Sequence, residues 1–222
     1  MHRRFRDLGE GDLKMPELGI RSDDVEALKS LLEDEARLRG DDFVLSSGLP
    51  TKYYFNAKPL TLSAEGFDLV GRVMGAVVER SGAQAVGGLE IGGIPLGLAI
   101  AVASRRAGKE IPDFLVREER KLHGTKEQIA ASYLVPSGPG CRVAIVDDVV
   151  TTGKSIEQAI KAALHADWKI ILILSLVTRP EGGGVAAMKQ KFAGSAEYQS
   201  IFECDTDGNL SPLVDDLLTI PV

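Results

Sequence analysis

The 222 residues leave room for one large domain or two small ones around a well-buried core. With 44% hydrophobic and 26% charged residues the chain is neither disordered nor fibrous, and 32 acids against 26 bases give a formal charge of -6. That balance excludes a surface that grips nucleic acid or anionic lipid throughout, while permitting a local basic patch around an anionic ligand.

In chain order, residues 1–21 read as an N-terminal tail: Met1 to Arg6 is basic but is followed by no apolar signal-peptide core, so a cytoplasmic protein is expected. Ser22, Asp23, Asp24 and Glu26 open an amphipathic helix over 22–38, with Val25, Leu28, Leu31, Leu32 and Leu38 at helical spacing. Phe43 to Leu45, a turn through Gly48 and Pro50, and Tyr53 to Phe55 predict two short antiparallel strands outside any main sheet. From Ser63 the rhythm alternates: helix 63–80, strand 85–90, helix 96–107, strands 113–117 and 142–147, helix 155–166, strand 168–178. Such alternation predicts a parallel sheet flanked by helices. The apolar runs at 170–177 and 91–103 fall short of the roughly 20 residues that cross a bilayer. Cys141 and Cys204 have no CxxC spacing and no adjacent His cluster, so reduced structural thiols are expected. In sheets of this class ligands gather beyond the carboxyl ends of the strands.

The most informative segment is Val143 to Ser155, an apolar strand ending in Asp147 and Asp148, then Val149, Val150, Thr151, Thr152, Gly153, Lys154 and Ser155 opening a helix. A helix start rich in Gly, Thr and Ser exposes backbone N–H groups to a phosphate. Two carboxylates beside it would repel a bare phosphate unless they meet sugar hydroxyls or magnesium, and a phosphorylated ribose satisfies both requirements; the plainer alternative is that the acids cap the turn. Gly153-Lys154-Ser155 imitates the end of a Walker A loop, but that pattern needs glycine at 148, where Asp148 stands. Gly87 to Pro95 is a glycine-dense loop between strand and helix, suited to an oxyanion or to a tight turn. Arg117 to Lys126 holds four cations and two acids, a local charge of +2; on charge alone it reads as a solvated loop.

The segment 143–155 resembles the phosphoribosyl diphosphate binding motif of type I phosphoribosyltransferases, and 117–126 resembles the mobile loop of the orotate phosphoribosyltransferases, with Arg117, Lys121, His123 and Gly124 in register. Glu118 departs, standing where that pattern has lysine. The resemblance implies the type I phosphoribosyltransferase fold with a small N-terminal hood (mainly 22–62) on a core (63–222), all within one domain, 22–222. It also implies transfer of a phosphoribosyl group to orotate, giving orotidine 5-monophosphate in pyrimidine synthesis, in a homodimer whose loop 117–126 serves the neighbouring site. Asp147 and Asp148 would hold the ribose and stand, with Lys121 and His123, as the catalytic residues. Arg117, Lys121 and His123 would meet the diphosphate, Thr151 to Ser155 the 5-phosphate, and Val149 and Val150 would complete the donor-binding stretch. Ser46, Tyr54, Phe55, Thr151 and Arg179 would hold orotate; the alternatives are that the aromatics are core and that Arg179 is a surface strand end. Magnesium is expected to be held mainly through the donor, with no directly ligating residue. Two rival functions share the motif: transfer to another base, purine or uracil, and a non-catalytic regulator sensing the donor, for which Glu118 is the best argument. No nucleic acid or membrane partner is expected.

Overall fold

The computed structural model describes residues 18–44, 50–118, 128–136 and 138–213. Helix α1 (Ser22–Leu31) buries Val25 and Leu28, with Asp23 and Asp24 at its positive end. It is shorter than the sequence suggests: a π-helical turn, Leu32–Ala36, follows, and strand β1 (Arg37–Val44) begins at Arg37. The apolar stripe is used up at Leu32 and Ala36, both 0% exposed, whereas Leu38 is 46% exposed and pairs across to Tyr54. Pairing to β2 (Pro50–Phe55) then offers backbone hydrogen bonds that a further helical turn with nothing to bury cannot outbid. The two strands form a separate antiparallel sheet.

A short helix α2 (Lys58–Thr61) leads to α3 (Ala64–Arg80), whose N-cap Ser63 accepts from the Gly66 amide. Next come β3 (Ala85–Leu89), α4 (Gly93–Arg106), β4 (Asp113–Val116), β5 (Ile129–Ala131), β6 (Arg142–Val150), α5 (Lys154–His165) and β7 (Lys169–Thr178). A 3-10 turn, Pro180–Gly182, precedes α6 (Gly184–Phe192), β8 (Glu197–Cys204) and β9 (Leu210–Pro212). The seven-stranded sheet runs β5-β4-β3-β6-β7-β8-β9. Its five central strands are parallel, as alternation requires, but β5 and β9 pair antiparallel, so the sheet is mixed. Two boundaries also differ from expectation: β6 runs on to Val150, placing the acidic pair within the strand, and α4 starts at Gly93.

The strand order explains where a ligand can sit. From β3 the chain crosses by α4 to β4 on one side; from β6 it crosses by α5 to β7 and by α6 to β8 on the other. Because each crossover is right-handed, opposite directions put the helices on opposite faces. Leu96 and Ile100 of α4 accordingly join Val70 and Met74 of α3 and Leu28 of α1 over Ala144, Val146, Leu172 and Leu174. Ile156 and Ile160 of α5, with Met188 and Phe192 of α6, cover Val143, Ile145 and Ile173 from the other face. Buried on both faces, β7 reads in sequence as one apolar run. The switch point lies between β3 and β6, where the helices part and leave a crevice at the carboxyl ends.

Candidate active site

Both unusual strand ends of the sequence open at this crevice, the Gly-rich loop from β3 and the acidic pair from β6. Asp147 is 8% exposed and Asp148 partly buried. The Asp148 amide donates to Asp147 Oδ1 (3.2 Å) and the Val149 amide to Asp148 Oδ1 (2.8 Å), which pins both carboxylates close to their own backbone. A methyl group at Gly92 would stand 2.6 Å from Asp148 Oδ1 and 3.2 Å from Asp147 Oδ1, so the loop's backbone, and no side chain, lies against the pair. Burial first, and then the Asp148 charge, push the Asp147 carboxyl well above the usual range; the Asp148 amide and Lys58 oppose this. Such a site is relieved by groups that donate hydrogen bonds to carboxylates or carry positive charge.

Beyond the pair, Gly153 caps α5 at φ +75°, a left-handed conformation costly for other residues, and a side chain there would meet Phe192 at 2.9 Å. No side chain caps this end of α5, so its first amides are left for an anion. The turn is braced by Lys191, which donates to the Thr152 carbonyl and pairs with Glu157 at 3.1 Å. Thr151, Thr152, Lys154 and Ser155 all keep some exposure beside it. Among the described residues no three His, Cys, Asp or Glu side chains cluster as a metal site. Asp147 and Asp148 are the acids that could face a magnesium ion, and a pair of carboxylates suits an ion that takes its other ligands from substrate phosphates and water.

On the acceptor side, strand alternation separates the two aromatics expected to act together. Tyr54 is 40% exposed and stacks on Phe43 (6.0 Å between centroids), whereas Phe55 is 3% exposed and packs edge-on against Tyr53 in the core. Phe55 therefore does not share a face with Tyr54. Arg179 is no surface strand end: its side chain is 1% exposed, and its amide donates to the Val150 carbonyl (2.8 Å), beside the turn at Thr151. A Cβ on Gly182 would fall 1.7 Å from the Thr151 carbonyl oxygen, so the chain after Arg179 rides on the turn after Asp148. Burial is the largest influence and works against the Arg179 charge, but the Glu181 hydrogen bond and the neighbouring groups Tyr53, Glu181 and Cys204 together outweigh it and raise the guanidinium's pKa.

Ser46, Lys121 and His123 lie outside the described residues. The stem of their loop is placed: the Arg117 amide donates to the Gln128 carbonyl (2.9 Å), and the Glu118 amide to Glu90 Oε1 (2.8 Å), tying the stem to the Gly-rich loop. Sequence reading passed over three residues here. Lys58, whose charge bears on Asp147, belongs to no motif and left no signal. Glu90 stands inside the glycine-dense stretch, but its partner, the Glu118 amide, is remote in sequence; Glu181 lies two residues beyond Arg179, where only the path of the chain after β7 turns it back onto the guanidinium.

The chain is similar to known proteins over most of its length. A family model described as phosphoribosyl transferase domain matches residues 71–203. The chain is 37% identical over 163 residues to an orotate phosphoribosyltransferase of a Nostoc species, covering 72% of this chain and 77% of that protein. It is 40% identical over 141 residues to the Aquifex aeolicus protein of that name, covering 64% and 75%. Among solved structures, the orotate phosphoribosyltransferase of Mycobacterium tuberculosis superposes with a TM-score of 0.68 at 30% identity, covering 81% of this chain and 96% of that one. That of Aeropyrum pernix gives 0.61 at 29% identity, covering 87% and 99%. With the acidic pair, the left-handed glycine turn and the Gly-rich loop meeting at one crevice, and relatives of this kind along most of its length, the chain belongs to the orotate phosphoribosyltransferase family.

Proposed function

We propose that the protein transfers the 5-phosphoribosyl group of phosphoribosyl diphosphate to orotate, and that the crevice between β3 and β6 is where it does so. The observation that carries this is the acidic pair held against the glycine loop on one side and the uncapped α5 terminus on the other. A donor with ribose hydroxyls between two anionic ends suits that alternation of acceptor and donor groups.

In this reading Asp147 and Asp148 accept from the ribose hydroxyls and offset the positive charge that grows on the ring. The amides from Thr151 to Ser155 hold the 5-phosphate, and the loop 87–95 lies along the diphosphate. Arg117, Lys121 and His123 offset the charge on the leaving diphosphate. Thr151 and Arg179 hold orotate; Tyr54 stands on the face of β2 opposite Tyr53, whose ring Arg179 covers, and takes no part in that contact. Its ring nitrogen, having given up its proton, forms the bond to ribosyl C1 as the C1–oxygen bond breaks and diphosphate leaves with the electron pair. A magnesium ion held mainly through the donor, with Asp147 and Asp148 the acids that could face it, would supply further neutralisation of the diphosphate. Most of the rate enhancement is then positioning and electrostatics, with water excluded from the donor.

The homodimer belongs to the same proposal. Leu98 and Leu134, 46% and 42% exposed, line one cleft with Tyr133, 93% exposed, at the end of the antiparallel β4–β5 pair opposite to the one from which the loop 117–126 departs. Exposed apolar side chains there suit a second copy of the chain. No helix among the described residues is long and apolar enough to cross a membrane.

Turnover with orotate, uracil, adenine and hypoxanthine, each with donor and magnesium, tests the reading. Consumption of orotate alone is expected. Consumption of a purine or uracil instead overturns the acceptor assignment, and no consumption of any base moves the protein to a donor-sensing regulator, as Glu118 would suit.

A further inference from the structure

Arg179 is held more tightly than a substrate-reading arginine needs to be. Its Nε donates to Glu181 Oε2 (3.1 Å) and its Nη2 to Glu181 Oε1 (2.6 Å), a side-on fork. Nη2 also reaches Thr51 Oγ1 (3.2 Å) and the Tyr53 carbonyl (3.4 Å). The guanidinium carbon lies 4.3 Å over the Tyr53 ring. That ring is fixed in turn, because its hydroxyl donates to the Asp205 carbonyl (3.0 Å), with Glu181 Oε1 a second, longer acceptor for the same hydrogen at 3.4 Å. Edge and face are thus both clamped, and both Nη2 hydrogens and the Nε hydrogen are committed. Among the described residues no acceptor meets Nη1. Burial pulls Glu181 up, but the Arg179 hydrogen bonds and charge, its own backbone amide and the Tyr53 hydroxyl together outweigh it and keep the carboxylate ionised, so the pair stays charged inside while its net charge is zero.

We propose that Glu181 is the positioning residue of the acceptor site: it holds Arg179 by one edge against Tyr53, so that the Nη1 edge alone is presented to the carboxylate of the acceptor. This rests on the acceptor role given to Arg179 above. The alternative, that an incoming carboxylate displaces Glu181, requires opening a buried, doubly hydrogen-bonded pair and leaving Glu181 without its cation, which a substrate bound through a single carboxylate does not do. Two consequences follow. Recognition depends on hydrogen-bond direction more than on charge, since Glu181 has already neutralised the arginine. The distance from backbone to carboxylate at position 181 also matters, because it sets the tilt of the guanidinium.

The test compares Glu181→Asp, Glu181→Gln, Glu181→Ala and Arg179→Met in the full-length protein, measuring KM for orotate and for donor, kcat and thermal stability. Glu181→Asp keeps the charge but withdraws it by one methylene, and is expected to raise the orotate KM about tenfold with the donor KM unchanged. Glu181→Gln, which keeps the reach and one acceptor oxygen, is expected to stay closer to wild type than Glu181→Ala. If Glu181→Asp matches wild type, the positioning role is refuted; if Glu181→Ala lowers the orotate KM, Glu181 is a competitor of the substrate and the proposal falls. Parallel increases in both KM values would reduce Glu181 to a structural part. Should Glu181→Ala fail to fold, Asp and Gln decide the matter. An orotate KM unmoved in Arg179→Met removes the acceptor role itself, and the inference with it, whereas a raised value beside unaffected Glu181 variants removes only the inference.

Discussion

Replacing Gly153 by alanine probes the donor turn and its cost together. The residue sits at φ +75°, and its new methyl would start 2.9 Å from Phe192 Cζ and 3.2 Å from Met188 Sδ. Holding the left-handed conformation costs about 1–2 kcal/mol and the overpacking about 1–2 more, because an aromatic edge and a thioether can give way by a few tenths of an ångström. At about 2–4 °C per kcal/mol for a chain of this size, the midpoint of thermal unfolding is expected to fall by about 5–15 °C. The turn can relieve part of this strain only by shifting the Lys154 and Ser155 amides. Losing one charge-assisted hydrogen bond to the 5-phosphate, about 1.5–3 kcal/mol, weakens donor binding about 10- to 150-fold. Calorimetric titration with phosphoribosyl diphosphate and magnesium, beside a melting curve, reads both numbers. Donor affinity unchanged while stability falls as calculated would show that the turn bears strain but holds no phosphate; an unchanged melting point would refute the strain argument itself.

Asp113, at the amino end of β4 and away from the crevice, has an Oδ1 that meets no hydrogen-bond partner among the described residues, and burial pushes its carboxyl up to about 7 against a smaller pull from the Phe114 amide. A raised folded value means that stability is full below about pH 4 and is lost as pH rises through 7, at most about 4 kcal/mol. Asp113→Asn should therefore flatten the decline in stability between pH 5 and 8 without changing turnover, and melting curves that stay parallel to wild type would remove this cause. Lys121→Ala should lower kcat by about 100-fold or more with the melting point unmoved, since electrostatic support of a leaving group is worth that much; unchanged turnover removes the loop from catalysis. Tyr133→Asp, which puts a charge on the apolar face, should yield monomers in sedimentation velocity and a loss of activity. A wild type that is fully active as a monomer would rule out a shared site.

The stretch proposed to hold the donor was legible because it is contiguous. Asp147, Asp148, Gly153 and Ser155 lie within nine residues, on a strand end, a left-handed turn and a helix start that local residue types specify. The alternation that separates Tyr54 from Phe55 was also in the sequence, since period two puts adjacent residues on opposite faces. The shortened α1 could not be read in the same way. Leu38 continues a helical spacing as well as it fits a strand, and only the availability of β2 as a partner decides between them.

By itself, then, the sequence determined the alternating architecture, the phosphate turn and the acidic pair, because these follow from residues a few positions apart. Tertiary structure decided what those residues face. Gly92 meets Asp148, Glu90 meets the Glu118 amide, Lys58 bears on Asp147, and Arg179 lies between Glu181 and a tyrosine 126 positions earlier. Each of these meetings depends on the reversal of strand order between β3 and β6 or on the N-terminal hairpin folding back over the end of β7. Contacts between distant segments are set by packing of the whole core, and no local pattern of residue types encodes them.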